Sequence, residues 1–273
     1  MTPFWKYSAL GNTFVVLPAS RPARARRLAW VARLCSERTG IGADGAVLVH
    51  AASRSLAIYN ADGSRASLSG NGARCAAVWW FETRSLRVSQ VIWQTDAGRI
   101  LCRQRGRQVE VRIPPPAFES AAIPAQTREP EVWRQTLVLG RRLGRVRVCA
   151  LSVGNPQCVI WGRSHPRNWR EVGQALESHV LFPDNTNVVF VRKDGNALDL
   201  RIWERGVGET DSSGTGAAAA AVVGVRLGRS PRRTQARMPG GTMIVHWLAG
   251  DEITLTCPVE PVAAGTWRGT GAP

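Results

Sequence analysis

Ser69-Gly70-Asn71-Gly72-Ala73 and Ser213-Gly214-Thr215-Gly216-Ala217 are two copies of one motif, and each runs on into a stretch of helix-forming residues. Glycines beside a small polar residue leave backbone amides uncovered and let a ligand approach closely. The first turn of the adjoining helix has unsatisfied N–H donors and the positive end of the helix dipole. Serine is also a preferred N-cap, so one such turn alone reads as a cap and nothing more. Two in one chain imply two homologous halves, each pointing a helix N-terminus at one shared site, with one anion held between two small polar side chains.

Few other residue types offer chemistry. The cysteines (Cys35, Cys75, Cys102, Cys149, Cys158 and Cys257) are scattered, with no C-x-x-C pair, and the histidines are isolated. That pattern predicts reduced, buried thiols, with no metal site and no disulfide framework. The chain has 273 residues, 44% of them hydrophobic, and no apolar run of transmembrane length. Residues 1–19 lack the basic-then-apolar layout of a signal peptide, so a cytoplasmic protein without a membrane partner is expected.

The formal net charge is +16, carried almost entirely by arginine. Arginines recur through residues 21–33, 103–112, 141–147 and 226–237, which reads as solvated faces rather than a phosphate track. The expectation is weak, salt-sensitive adhesion to polyanions and no specific nucleic-acid partner.

Short strand patterns at 14–18, 46–50, 55–59, 91–95 and 109–113 are interrupted by helical patterns at 24–37 and 72–82. Pro114, Pro115 and Pro116 then break any regular element. Beyond them, strands are predicted near 138, at 146–153, 159–161, 187–192 and 198–203, then a helix from 214 and a closing pair at 243–247 and 253–257. This order predicts an α+β fold of two similar domains, 1–115 and 116–260, with a tail at 261–273 that packs back on the first. Asp44 and Asp62 lie in turn sequences, and Trp79 and Trp80 are expected to pack between helix and sheet.

The sequence resembles the diaminopimelate epimerases, within the pyridoxal-phosphate-independent amino-acid racemases. The likeness rests on the segment from Lys6 through Asn12 to Phe14, on Arg38-Thr-Gly-Ile-Gly-Ala-Asp-Gly45, Asn60-Ala-Asp-Gly-Ser64, Ser69-Gly-Asn-Gly-Ala-Arg-Cys75, Gly154-Asn-Pro-Gln-Cys158, Asn187-Val188, and Glu204 through Ser213 to Gly216. The resemblance implies two pseudo-symmetric domains, each a curved, mostly antiparallel sheet around a central helix, with the site in the cleft between them. It further implies a two-base epimerase with no cofactor, acting on a small amino acid; a homodimer is compatible with it.

The departures fall on the reacting groups. The family has a catalytic cysteine at the positions of both Ser69 and Ser213, a histidine at that of Ser8, an aspartate at that of Thr13 and a histidine at that of Gln157. A thiol, with a pKa of about 8.5, can be tuned toward neutrality by a helix N-terminus, whereas serine is a much weaker acid. Three readings of the double serine stay open. One is an epimerase or racemase, diaminopimelate epimerase-like, in which Ser69 and Ser213 are the catalytic pair, helped by Asp211 or water. Another is an inactive or repurposed amino-acid-binding homologue, and the third is an engineered Cys-to-Ser variant of an active epimerase. By resemblance, Asn60 and Glu204 would hold the α-ammonium group and the amides of Gly70, Asn71, Gly214 and Thr215 the α-carboxylate. Asn12, Asn155, Asn187 and Arg205 would hold the distal end of a diamino diacid.

Overall fold

The computed structural model describes residues 1–19, 28–84 and 88–269. The chain forms two compact units, Met1–Arg112 with Thr256–Pro273, and Ile113–Leu255. The first unit begins with β1 (Thr2–Ala9), β2 (Asn12–Pro18), α1 (Leu28–Cys35), β3 (Gly45–His50), β4 (Ser55–Asn60) and β5 (Arg65–Ala66). It continues with α2 (Gly70–Thr83), β6 (Gln90–Thr95), β7 (Gly98–Arg105) and β8 (Gln108–Ile113). The second holds β9 (Gln135–Val138), α3 (Gly140–Leu143), β10 (Arg145–Ser152), β11 (Pro156–Gly162), α4 (Trp169–Glu177), β12 (Asn187–Asp194) and β13 (Ala197–Glu204). β14 (Gly208–Thr210), α5 (Gly214–Arg226), β15 (Arg233–Met238) and β16 (Gly241–Trp247) come next, and β17 (Ile253–Pro258) leads back to the first unit, which β18 (Glu260–Trp267) completes by pairing antiparallel with β1.

In the first unit β1 and β2 form a hairpin over Leu10 and Gly11, both at positive φ as a two-residue type I′ turn requires. β2 runs parallel to β3, which pairs antiparallel with β4. All of Phe14, Val15, Val16 and Leu17 are buried, because β2 is covered on both faces. Val15 and Leu17 join Trp30, Val31 and Leu34 of α1 in one cluster, while Phe14 meets Gly72 of α2. α2 is the central helix, lying against β1, β2, β3, β6 and β7. Its Trp79 and Trp80 are buried, Trp80 edge-on to Trp93, which is the packing role expected for this pair.

The second unit repeats the plan. β11 runs parallel to β12, β12 antiparallel to β13, and β13 parallel to β15. Val188 and Phe190 of β12 face Trp169, Val172 and Leu176 of α4 in one cluster, while Val189 meets Gly216 of α5. α5, buried from Gly216 through Gly224, is the central helix here. Mixed sheets around central helices make the α+β fold predicted above.

Some elements depart from the expected pattern. The helix expected at 24–37 is Leu28–Cys35, and residues 24–27 lie outside the described ones. Helix α4 has no counterpart among the expected elements. It carries Gly173 at its centre, where a Cβ would come 3.0 Å from the Trp203 ring, so the glycine that weakens the sequence signal is there for close packing. β18 is almost wholly exposed, so no period-2 burial marks it, and its backbone ladder to β1 defines it.

Close packing also fixes the base of the Asn60 turn. A Cβ on Gly45 would lie 2.5 Å from the Tyr59 carbonyl oxygen and 2.6 Å from the Phe14 ring, whereas one on Gly250 would meet nothing within 4 Å. Gly45→Ala should therefore cost about 1–3 kcal/mol. Thermal unfolding would show it as a melting temperature several degrees lower, with Gly250→Ala as the unshifted reference; equal melts for the two variants would refute this packing.

Candidate active site

Ser69 is the N-cap of α2, with extended backbone (φ −137°, ψ 117°), and its Oγ accepts from the Gly72 amide at 3.1 Å. The helix proper starts where the Ala73 amide donates to the Ser69 carbonyl. Because the cap engages only the third helical amide, those of Gly70 and Asn71 have no intrahelical acceptor and remain available to an anion. The Asn71 side chain is held from behind, its Oδ1 accepting from Nη1 of the buried Arg74.

The first unit also holds other expected residues. Asn12 opens β2, directly after the Leu10–Gly11 turn. Asn60 ends β4, exposed, and its Nδ2 donates to Ser64 Oγ. Asp62 accepts from the Ser64 amide, and Asp44 Oδ2 accepts from both the amide and the hydroxyl of Thr13. Both aspartates are thus turn-forming, as their sequence context implied. Thr13, a departure from the family pattern, has a structural partner of its own.

Ser213 repeats Ser69 closely. It caps α5 with extended backbone (φ −142°, ψ 121°), its Oγ accepts from the Gly216 amide at 3.3 Å, and the Gly214 and Thr215 amides are the ones left without helical acceptors. Ser213 is buried, and its amide donates to Met238 Sδ. The Glu204 carboxyl, at the end of β13, is half-buried. Burial raises its pKa above the ordinary value of 4.5, and the Ser213 and Thr210 hydroxyls beside it draw it partly back. Asp211 is exposed, and its carbonyl accepts from the Gly240 amide.

Asn187 is buried and fully committed, its Nδ2 donating to the Pro156 carbonyl and its Oδ1 accepting from the Arg205 amide. It fixes the turn after Glu204. Arg205 itself is exposed, with Nη1 on the Asp184 carbonyl. Asn155 and Thr215 are linked by a residue that motif reading noted only as a departure. Buried Gln157 donates from Nε2 to Asn155 Oδ1 (2.9 Å) and to Thr215 Oγ1 (3.1 Å), while its Oε1 is buried without a partner among the described residues. The signal that could have found it is its place between Pro156 and Cys158, beside the strand residues that pair with β12.

No cysteine offers a ready thiolate in place of the two serines. All six are free and buried, and burial raises the pKa of each, Cys102 to about 12. Thiolate chemistry near neutrality is therefore suppressed at every one of them. Among the described residues no group of three His, Cys, Asp or Glu side chains could hold a metal ion, and no helix is long and apolar enough to cross a membrane.

Comparison with known proteins is specific. Residues 4–117 and 149–260 match the family model described as diaminopimelate epimerase. A relative of that name from Desulforudis audaxviator is 37% identical over 282 residues, covering 97% of this chain and 98% of its own. One from Xylella fastidiosa is 35% identical over 276 residues, covering 97% and 96%. In fold the chain is similar to a solved phenazine biosynthesis PhzC/PhzF protein from Clostridium difficile (TM-score 0.69, 12% identity, 98% and 100% of the two chains). It is also similar to a probable proline racemase from Agrobacterium radiobacter (TM-score 0.66, 15% identity, 98% and 93%).

The environment of Glu204 has a consequence for stability. A carboxyl whose pKa is raised by folding binds a proton more tightly in the folded state, so its contribution is complete below 4.5 and is lost as pH rises through the raised value. Unfolding free energy measured by denaturant titration at a series of pH values should fall across that window, and the Glu204→Gln protein should lack this component of the fall. Identical pH dependence in the two proteins would contradict the assignment.

Proposed function

This chain belongs to the diaminopimelate epimerase family and is an isomerase, and we propose that it interconverts LL- and meso-diaminopimelate by a cofactor-independent two-base mechanism in which Ser69 and Ser213 take the place of the thiol pair. The observation that carries this reading is the twin cap. Each serine satisfies only the third amide of its helix, leaving Gly70 with Asn71, and Gly214 with Thr215, to receive the α-carboxylate. As the α-proton leaves, negative charge builds on that carboxylate, where fixed amides and the positive helix ends stabilise it without reorganisation.

In this mechanism one serine, its hydroxyl proton first passed to a neighbouring base, accepts the α-proton as an alkoxide while the other donates its hydroxyl proton to the opposite face; the base then returns its proton, by way of solvent, to the serine left as an alkoxide, so the product differs from substrate only in configuration. A serine needs a neighbouring base, and Ser213 has the Glu204 carboxylate beside it. Glu204 and Asn60 would take the α-ammonium group. Asn12, Asn155 and Arg205 would meet the distal end, and Asn187 would act by holding the Arg205 turn. The unpartnered Oε1 of Gln157 is a further acceptor for an ammonium group of the substrate.

A second reading rests on the same hydroxyls. Each Oγ is already accounted for as a cap acceptor, which is all an amino-acid-binding protein without proton-transfer chemistry would need.

Exchange of the α-proton of diaminopimelate in deuterated water, followed by mass spectrometry, separates the two. The native chain should exchange slowly, and Ser69→Cys/Ser213→Cys should raise the rate by roughly 10²-fold or more, since a thiol there meets a dipole already in place. Each single replacement should give far less. Tight binding with no exchange from the native chain would favour the binding protein. If the double variant binds but does not exchange, the departures at Ser8, Thr13 and Gln157 are responsible; if it does not bind, the substrate is a different amino acid.

A further inference from the structure

The second unit carries a cavity of about 390 Å³ at the C-terminal end of α5. Strand alternation builds it. Val148 and Ala150 of β10 face the α4 core, so Arg145, Arg147 and Cys149 lie on the opposite face, with Thr136 of β9 across from Arg147. Arg134, just before β9, and Arg229, just after α5, complete the wall. No carboxylate lines the cavity, and among the described residues none of these four arginines is in an ion pair. Elsewhere on the chain Arg65, Arg105, Arg142, Arg170 and Arg226 each have a carboxylate partner. Arg134 also sits at φ 52°, a conformation uncommon for a residue with a Cβ.

An aromatic platform borders the same space. Trp161 of β11 is half-buried, seated on α5 where a Cβ on Gly224 would come 2.7 Å from its ring, and the Arg229 guanidinium is 5.9 Å from a ring centroid. Trp161 also lines an adjoining cavity of about 470 Å³ with Arg163 and Lys193. The negative end of the α5 dipole does not govern this site, because the carbonyls of Val223, Gly224 and Val225 all accept from amides of the closing turn.

We propose that this face is a binding site for a nucleoside polyphosphate, with the phosphates among Arg134, Arg145, Arg147 and Arg229 and the base against Trp161. Four guanidinium groups without counter-ions favour a multiply charged anion over a lone carboxylate. The fixed indole at the rim favours a flat aromatic group over an inorganic chain of phosphates.

The full chain would be titrated with ATP and with inorganic tripolyphosphate at physiological ionic strength, by calorimetry and tryptophan fluorescence. One-site saturation is expected, with ATP about tenfold tighter. Arg145→Glu/Arg147→Glu should weaken both ligands by at least about tenfold. Trp161→Leu should bring ATP to the level of tripolyphosphate and leave tripolyphosphate unchanged. A charge-matched control, Arg99→Glu/Arg107→Glu on exposed positions of the first unit, should alter neither. Equal weakening by the control would assign binding to the overall charge and overturn the site. No saturable ATP binding, tripolyphosphate as tight as ATP, or an ATP preference that survives Trp161→Leu would overturn the nucleotide assignment. Circular dichroism and melting of each variant ensure that the differences reflect binding.

Discussion

An α-helix leaves its first amides without acceptors inside the helix, and in both units of this chain a single serine hydroxyl meets that constraint. Ser69 and Ser213 each take the third amide and no more. That small hydrogen bond has wide structural effects. It fixes where α2 and α5 start, leaves two amides per turn uncovered, and sets the helix over a sheet through glycines that admit Phe14 and Val47 on one side and Val189 and Ile202 on the other. A Cβ at Gly72 would stand 3.2 Å from Val47 and 3.3 Å from Phe14, and one at Gly216 3.1 Å from Ile202 and 3.2 Å from Val189, so these side chains would have to give way. The same backbone arrangement that stabilises the fold therefore also makes the pair of anion-ready turns.

Serine in place of the thiol that the resemblance implies would change the acid without changing this frame. A cap needs only an oxygen lone pair, which serine supplies better than cysteine does, so the fold gives no resistance to the exchange. Proton transfer is more demanding, because an alkoxide is far costlier to generate than a thiolate. In the proposed mechanism the half-buried Glu204 would be the compensating group, a carboxyl whose pKa burial raises. Gln157 shows another form of compensation: in a buried position it ties the Asn155 turn to the first turn of α5 with two hydrogen bonds.

The large positive charge also takes on a different meaning in three dimensions. Read along the chain, arginines look evenly spread. Many are neutralised locally, as Arg65 is by Asp96 and Arg170 by Glu209. Those at 134, 145, 147 and 229 come from three segments of the chain and meet around one void with no carboxylate among them. Alternation on β10 does this, since the residues that must be apolar for the α4 core leave the intervening ones on the other side.

Residue type and spacing alone were enough for the elements whose signal is local. The serine-glycine turns, the central helices behind them, the turn role of Asp44 and Asp62 and the buried strands around Val15 and Val189 are all legible from residue type and spacing, because capping, turn formation and burial act over a few residues. The other features come from contacts made by the folded chain. Gly173 conceals α4 until Trp203 is seen against it, β18 is a strand only because β1 lends it a ladder, and Gln157 becomes a link between two turns only when Asn155 and Thr215 are brought to its amide. Each of these depends on partners distant in the chain, and the pKa of Glu204 likewise results from burial and neighbours that no local pattern encodes.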